Sequence, residues 1–249
     1  MKRISGRRGF LTGLMAGPLV VALGEAHAQE SLLDQAKDVV GGFLGSDDLT
    51  DGEIAAGLRE ALKVGSERVV AQVGQLDGFN ADPKIHIPLP GALRDVQSAL
   101  QPFGLSSLAD DLELKLNRGA EAAAPEAKAL FIDAIGAMTL DDVREIYEGP
   151  NDAATQYFKD KMTKPLSEKM KPIVDRTLSE VGAVQSYETM MSKYQAIPLV
   201  PDVKANLTNY VVRKGLDGIF YYVAQEEAAI RNHPAARTTE LLKKVFGAQ

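Results

Sequence analysis

The sequence has no cysteine and no tryptophan, and only three histidines among 249 residues. Without cysteine there is no disulfide, cysteine zinc site, iron–sulfur cluster, thiol nucleophile or lipid attachment at cysteine. The lack of tryptophan makes a carbohydrate-binding platform less expected. A chain of this length buries enough apolar surface to fold without cross-links, so we expect a domain held by its core alone.

Sequence motifs of common chemistries are also missing. His86 and His233 lie far apart, and neither has the Glu-x-x-His or His-Glu-x-x-His spacing of helical metal sites. There is no Gly-x-Ser-x-Gly elbow, Ser-x-x-Lys pair or phosphate-binding Gly-x-x-x-x-Gly-Lys. Residues 47–52 resemble the start of a calcium loop, but Leu49 and Leu58 stand where ligands are required. We therefore expect no metal and no cofactor.

Charge narrows the range of partners. The chain has 28 basic and 34 acidic residues, and its first 28 residues contain four of the basic ones and one acidic one, Glu25. The remainder carries 24 basic and 33 acidic side chains, a net charge near −9. Such an acidic chain argues against nucleic-acid binding and against an anionic-membrane coat.

The first 28 residues have the three parts of an export signal peptide. A basic start precedes an apolar stretch, Phe10 to Leu23, and the small residues around His27 predict cleavage after Ala28. The apolar stretch is too short for a transmembrane helix. We expect the cleaved protein not to be an integral membrane protein.

The signal resembles the twin-arginine type, Ser/Thr-Arg-Arg-x-Phe-Leu-Lys. The matching residues are Arg7, Arg8, Phe10 and Leu11, whereas Gly6 and Thr12 depart from the pattern. A general secretory signal with paired arginines is the alternative. With either type of signal, we expect an exported protein whose signal peptide binds the export machinery.

Helical spacing of apolar residues dominates the rest of the chain. The predicted helices cover residues 31–44, a long helix from Thr50, then 91–101, 106–122, 124–137, a short one after Thr139, 152–162, 165–182, 184–195, 203–231 and 235–246. The prolines of residues 78–90 predict an extended strap over the core. The sequence thus predicts an all-α multi-helix bundle with one Pro-rich irregular crossover, preceded by a signal peptide. We expect a signal at 1–28, a first helix and flexible linker at 29–47, and one helical domain at 48–249.

Two groups of side chains are candidates for ligand binding. They are Asn117, Arg118 and Glu121 in one predicted helix, and Thr155, Tyr157 and Phe158 in another. Together they are expected to line a pocket with polar groups at one end; the alternative is an interhelical hydrogen-bond cluster with core aromatics. No catalytic residue is predicted. Ion pairs between the last two helices are expected from Glu226, Glu227, Arg231 and Arg237.

Several blocks of the sequence resemble a known family. They are EALKVGSERVVAQVGQLDGF, IHIPLPGAL, LKLNRGAEAAAPEAKALFIDAIGAMTLDDVREIYEG, AATQYF and EEAAIRNHPAARTTELLKKVFG. In this order they resemble the bacterial domain of unknown function 4197, over about residues 48–247. The resemblance implies an exported, periplasmic helical protein of a Gram-negative bacterium, and it assigns no catalytic residue. Gly119 stands where the family pattern has alanine, which predicts a slightly looser helix.

Three functions are compatible with these observations. The first is a non-enzymatic periplasmic protein that binds an apolar or amphipathic, lipid-like ligand between helices. The second is a structural or interaction module that docks an envelope protein through an exposed apolar helix face. The third is an enzyme that depends on carboxylates such as Glu121. An apolar tunnel of several hundred Å³ favours the first, and a closed core favours the second.

Overall fold

The computed structural model describes residues 49–247 of the chain. The signal peptide, the helix at 31–44 and the linker that the sequence predicts lie outside this range. Among the described residues, all regular secondary structure is helical, which confirms the all-α bundle. The helices are α1 (Asp51–Val73), α2 (Gly91–Leu100), α3 (Ser107–Gly136), α4 (Leu140–Glu148), α5 (Ala153–Tyr157), α6 (Thr163–Glu180), α7 (Ala183–Gln195), α8 (Leu207–Asn232) and α9 (Glu240–Gly247).

The core is organised around α3, which packs against α1, α6, α7 and α8. Phe131 of α3 makes edge-to-face contacts with Phe158 and Phe220, with ring centroids 6.2 Å and 5.8 Å apart. All three rings are buried. Within the described part of the chain, no helix is long and apolar enough to cross a membrane.

Two predicted helix breaks are wrong, and both fall near a proline. We expected a break before Pro125, but α3 runs through it. The Pro125 ring lies close to Gly74, since a Cβ atom built on Gly74 would be 3.2 Å from Pro125 Cδ. The preceding residues Ala123 and Ala124 are buried. Burial of this face in the core outweighs the loss of one helical hydrogen bond.

The second wrong break was expected between residues 162 and 165. Instead, α5 continues through a π-helical turn, Phe158–Met162, directly into α6. Pro165 follows the π-helical turn at the start of α6, and it lacks the N–H group that would donate to that turn. The buried Phe158 and Leu166 hold both sides of this junction in the core.

A cap at Thr50 begins α1 and also holds the last helix. Thr50 and Glu53 form a reciprocal capping box at the start of α1, and Lys244 of α9 contacts the Glu53 carboxylate. The hydrogen bond from Lys244, followed by those from Thr50, lowers the pKa of Glu53 from 4.5 to about 2. The carboxylate therefore stabilises both the start of α1 and the docking of α9.

A pH-dependent contribution to stability follows from this carboxylate. Because its folded pKa is lowered, its stabilisation is present above 4.5 and is lost as the pH falls through about 2. We expect Glu53→Gln to flatten the loss of stability between about pH 5 and about pH 2. Thermal unfolding followed by circular dichroism at several pH values checks this. Parallel curves for both proteins would contradict it.

Close helix packing depends on two glycines. A Cβ atom at Gly119 would lie 2.5 Å from Leu178 Cδ2, and the Gly119 carbonyl accepts a 3.0 Å hydrogen bond from Thr177. Gly119 therefore allows α3 and α6 to approach closely. At Gly57 of α1, a Cβ atom would lie 2.8 Å from Val245 Cβ of α9.

Gly57→Ala is expected to destabilise the fold by about 1–3 kcal/mol, because Val245 must move away. Gly215→Ala is the matched control, since nothing lies within 4 Å of the new Cβ atom inside α8. That change is expected to stabilise by about 0.5–1 kcal/mol. Urea unfolding of both variants measures the difference. Equal effects would mean that α9 does not pack closely on α1.

Candidate functional site

Three side chains of α3 form a polar row that faces the strap, residues 78–90. Glu113, Asn117 and Glu121 are spaced four apart, which places them along one side of the helix. Glu113 accepts a hydrogen bond from Leu89 N (2.8 Å), and Asn117 accepts one from Ile87 N (2.8 Å). The strap is extended only in part, since residues 78–85 form mainly hydrogen-bonded turns and only 86–90 follow without a turn. In that second part the N–H groups of Ile87 and Leu89 pair with side chains of the row.

Asn117 lies at the centre of the polar row and is fully buried. Its amide nitrogen donates to the carbonyl of Ile87 (2.9 Å) and to that of Glu113 (2.9 Å). The Asn117 side chain therefore pairs with both the N–H and the carbonyl of Ile87, as a neighbouring β-strand would. We infer that Asn117 stabilises the strap rather than contacting solvent or a ligand.

Glu121 holds the start of the strap and is itself buried. Its Oε1 accepts from Phe79 N (3.1 Å) and Asn80 N (3.0 Å), and its Oε2 accepts from Arg118 (2.7 Å). Arg118 also donates to Asp77 (2.8 Å), and the bond to Glu121 is the main cause of the raised pKa of Arg118. The carboxylate and guanidinium are therefore both engaged in structural contacts.

His86 and two tyrosines complete the strap contacts. The His86 ring lies between two acceptors, with Nδ1 2.9 Å from Asn80 O and Nε2 3.0 Å from Glu113 Oε1. Both ring nitrogens therefore lie within hydrogen-bond distance of an oxygen atom of the protein itself. Tyr210 of α8 donates to Pro88 O (2.7 Å). Tyr222 donates to Asp82, which raises the Tyr222 pKa to about 12.

Thr155, from the second candidate group, contacts a buried carboxylate of α8. Glu227 accepts from Ala154 N (2.9 Å), from Thr155 N (3.0 Å) and from the Thr155 hydroxyl (3.0 Å). It therefore caps the start of α5, where backbone N–H groups have no helical partner. Burial raises the pKa of Glu227, and the bonds from Ala154 and Thr155 oppose that rise.

Arg231 is the charge partner of Glu227, and its side chain is equally buried. Arg231 Nη2 lies 3.1 Å from Glu227 Oε1 and also donates to Ile146 O (2.6 Å) at the end of α4. The Glu227–Arg231 pair thus joins α4, α5 and α8. The expected pairs between the last two helices are wrong, since Glu226 pairs with Arg68 of α1 and Arg237 donates to backbone carbonyls.

Tyr157 and Phe158 have different environments. Phe158 is buried against Phe131, whereas Tyr157 is half-buried and its pKa is raised by burial and by Asp142. The first candidate group therefore contacts the strap, and the second contacts α8, α3 and α4. The structure gives the two groups separate partners, and the contacts described match the hydrogen-bond clusters and core aromatics of the alternative interpretation.

One polar cluster was missed by sequence reasoning. Lys115 Nζ lies 2.6 Å from Ser186 Oγ and 2.9 Å from Asp111 Oδ2, and Ser186 Oγ lies 2.6 Å from Asp111. A serine beside a lysine resembles a nucleophile with its base. The Asp111 carboxylate, whose pKa is lowered by the hydrogen bonds from Ser186 and then Lys115, holds both side chains, so we assign the cluster no catalytic role. The cluster ties α3 to α7.

Open space in the described part of the chain lies at the surface. Two spaces inside the core have volumes of about 10 Å³ each, enough for at most one water molecule. An open groove at the surface has a volume of about 470 Å³. The residues that line this groove are Gly74, Leu76, Leu114, Lys115, Arg118, Glu121, Ala122 and Val181. Among the described residues, no cluster of three or more histidine or carboxylate side chains is suited to hold a metal.

Comparison with known proteins gives one family. The model of the family described as "Protein of unknown function (DUF4197)" matches residues 48–247, which include every described helix. Comparison with the curated proteins and with the solved structures gives no match.

Proposed function

The chain belongs to the DUF4197 family of proteins of unknown function, and from that premise we propose that it is an exported, non-enzymatic interaction module of the cell envelope. One observation carries the proposal. The polar side chains that could hold a ligand bind the protein's own backbone, while the groove is open and exposes apolar side chains. Leu76 is 75% exposed and Leu114 is 39% exposed.

The other two functions have less support. A lipid held between helices needs an internal cavity far larger than the core spaces of about 10 Å³. An enzyme based on Glu121 needs a carboxylate that can reach a substrate, but three contacts of Glu121, with Phe79 N, Asn80 N and Arg118, would first have to open. Both conditions count against a buried ligand and against carboxylate catalysis.

The lining of the groove indicates what kind of segment fits it. Leu76, Leu114 and Val181 offer apolar contacts. Lys115 pairs with Asp111, and Arg118 pairs with Glu121 and Asp77, but both cationic side chains remain about a quarter to a third exposed. The one anionic lining residue, Glu121, is buried and already paired. The groove therefore suits a protein segment with two or three apolar side chains beside a carboxylate. We place this interaction in the periplasm, since the predicted signal directs export.

Selection of displayed peptides on the purified protein tests this proposal. We expect a consensus of apolar residues next to Asp, Glu or a terminal carboxylate, and NMR shift changes at Leu76, Leu114 and Val181. Leu114→Asp is expected to weaken binding of the selected peptide by about tenfold or more, since it removes an apolar contact and adds repulsion. Leu199→Asp is the control, because Leu199 is fully exposed and lies outside the groove.

The same selection can overturn the proposal. Peptides without this consensus, or shift changes outside the groove, would show that the groove is not the docking site. Binding of phospholipid or fatty acid in the groove, with no selected peptide, would support the lipid hypothesis instead. Crosslinking in cells from position 114 should capture a protein that carries the consensus and that the selected peptide displaces.

A further inference from the structure

A lysine-rich surface lies on the helical segment that follows α5. Between residues 159 and 171 there are five lysines and two acidic residues, Asp160 and Glu168, on a chain whose formal net charge is −6. We call this surface the lysine face; it consists of Lys159, Lys161, Lys164, Lys169 and Lys171. It is a positive region on an otherwise acidic protein.

All five ammonium groups of the lysine face are accessible. Each of these residues is exposed, and in the described part of the chain none of them forms a salt bridge. Lys115, Lys128 and Lys244, by contrast, each pair with a carboxylate. The pKa of Asp142 is lowered chiefly by its hydrogen bonds with Thr139, and the charge of Lys161 adds a smaller effect. The positive charge is therefore available to an external anion.

The arrangement is extended rather than concave. Leu166, Met170 and Val174 bury the core side of α6, so the lysines occupy the remaining sides of the helix. The segment is about 20 Å long at the rise of a helix. None of its lysines lines the groove or the two core spaces. An extended anionic surface fits this shape better than a single small anion in a pocket.

We infer that the lysine face docks the protein onto a bilayer surface that carries anionic phospholipid headgroups. Clusters of four to eight basic residues on an amphipathic helix are typical of binding to anionic lipid. Nucleic acid fits less well, because no aromatic side chain is exposed among the lysines for base stacking and the rest of the chain is acidic. Exposed Pro165 and half-buried Met162 offer apolar contacts at the headgroup level.

The lysine face shares no residue with the groove, and its local positive charge is compatible with an acidic chain. The net negative charge of the chain argues against a protein that coats anionic membranes with its whole surface. Electrostatic interactions fall off within about 10 Å in salt, so the lysine face can attract an anionic surface although the rest of the protein is acidic. The protein is expected to attach peripherally, through one face. Binding should weaken as salt is raised.

Vesicle flotation with the full-length chain without its predicted signal tests the inference. We expect binding to vesicles of phosphatidylglycerol mixed with phosphatidylcholine, and none to phosphatidylcholine alone. Changing the five lysines of the face to glutamine should reduce binding by about tenfold or more. The control changes the same number of surface lysines elsewhere, and so the same charge: Lys63, Lys84, Lys193, Lys204 and Lys214 to glutamine. It should bind nearly as well as the wild type.

Three results would overturn this inference. The first is that both variants bind the vesicles as well as the wild type does, and the second is that both variants lose vesicle binding equally. The third is that the wild type binds duplex DNA more tightly than anionic vesicles at the same salt concentration. Equal losses would point to net charge rather than to this face. Circular dichroism checks that both variants are folded; of the changed lysines, Lys204 forms an ion pair with Asp202, which is exposed and contributes little to stability.

Discussion

Glu227→Ala is expected to destabilise the protein by about 3–5 kcal/mol, the largest effect of any substitution considered. The change removes the acceptor for Ala154 N and Thr155 N and leaves the Arg231 guanidinium buried beside no carboxylate. A buried charge without a partner is far more costly than an exposed one. We expect α5 to lose its cap and the junction of α4, α5 and α8 to loosen.

Urea unfolding followed by circular dichroism measures this effect. Glu226→Ala is the matched control, because Glu226 is the adjacent residue and pairs with Arg68 at the surface. Exposed pairs contribute about 0–1 kcal/mol, so the control should stay within that range. Similar losses from the two variants would contradict the assignment of Glu227 as a structural centre.

Asn117→Ala is expected to cost about 2–4 kcal/mol. It leaves Ile87 N and Ile87 O without their partner in a buried environment, and unpaired buried polar groups cost about 1–3 kcal/mol each. The loss should be concentrated in the strap, so trypsin should cleave after the exposed Lys84 faster than in the wild type.

Asn80→Ala provides the control for Asn117. Asn80 makes a side-chain bond to Asp77 near the surface, at 2.9 Å, and its loss should cost less than about 1 kcal/mol. If Asn117→Ala were no more destabilising than Asn80→Ala, the polar row would not hold the strap. Unchanged cleavage after Lys84 would lead to the same conclusion.

The helices were predictable because their signals are local. Apolar spacing and the caps at Thr50 and Thr139 act within a few residues, and both capping boxes are present. Pro125 and Pro165 misled the prediction, because packing of α3 and α6 against distant segments outweighs the local effect of a proline. The boundaries that failed are those that tertiary contacts decide.

The roles of the candidate residues were less predictable, since their partners lie far away in sequence. Asn117 and Glu121 were correctly placed on one face, but their partners are backbone groups of the strap, about 30 to 42 residues away. Glu113 was missed although it lies four residues before Asn117. Glu227 reaches Thr155 across 72 residues, which no spacing rule detects.

Amide hydrogen exchange at Ile87 tests the central claim, that the polar row holds the strap, most directly. The Ile87 N–H is buried and donates to Asn117, so it should exchange far more slowly than an exposed amide in the wild type. In Asn117→Ala its exchange should accelerate selectively, while amides inside α8 keep their rates. Rapid exchange of Ile87 in the wild type, or equal rates in both proteins, would contradict the account.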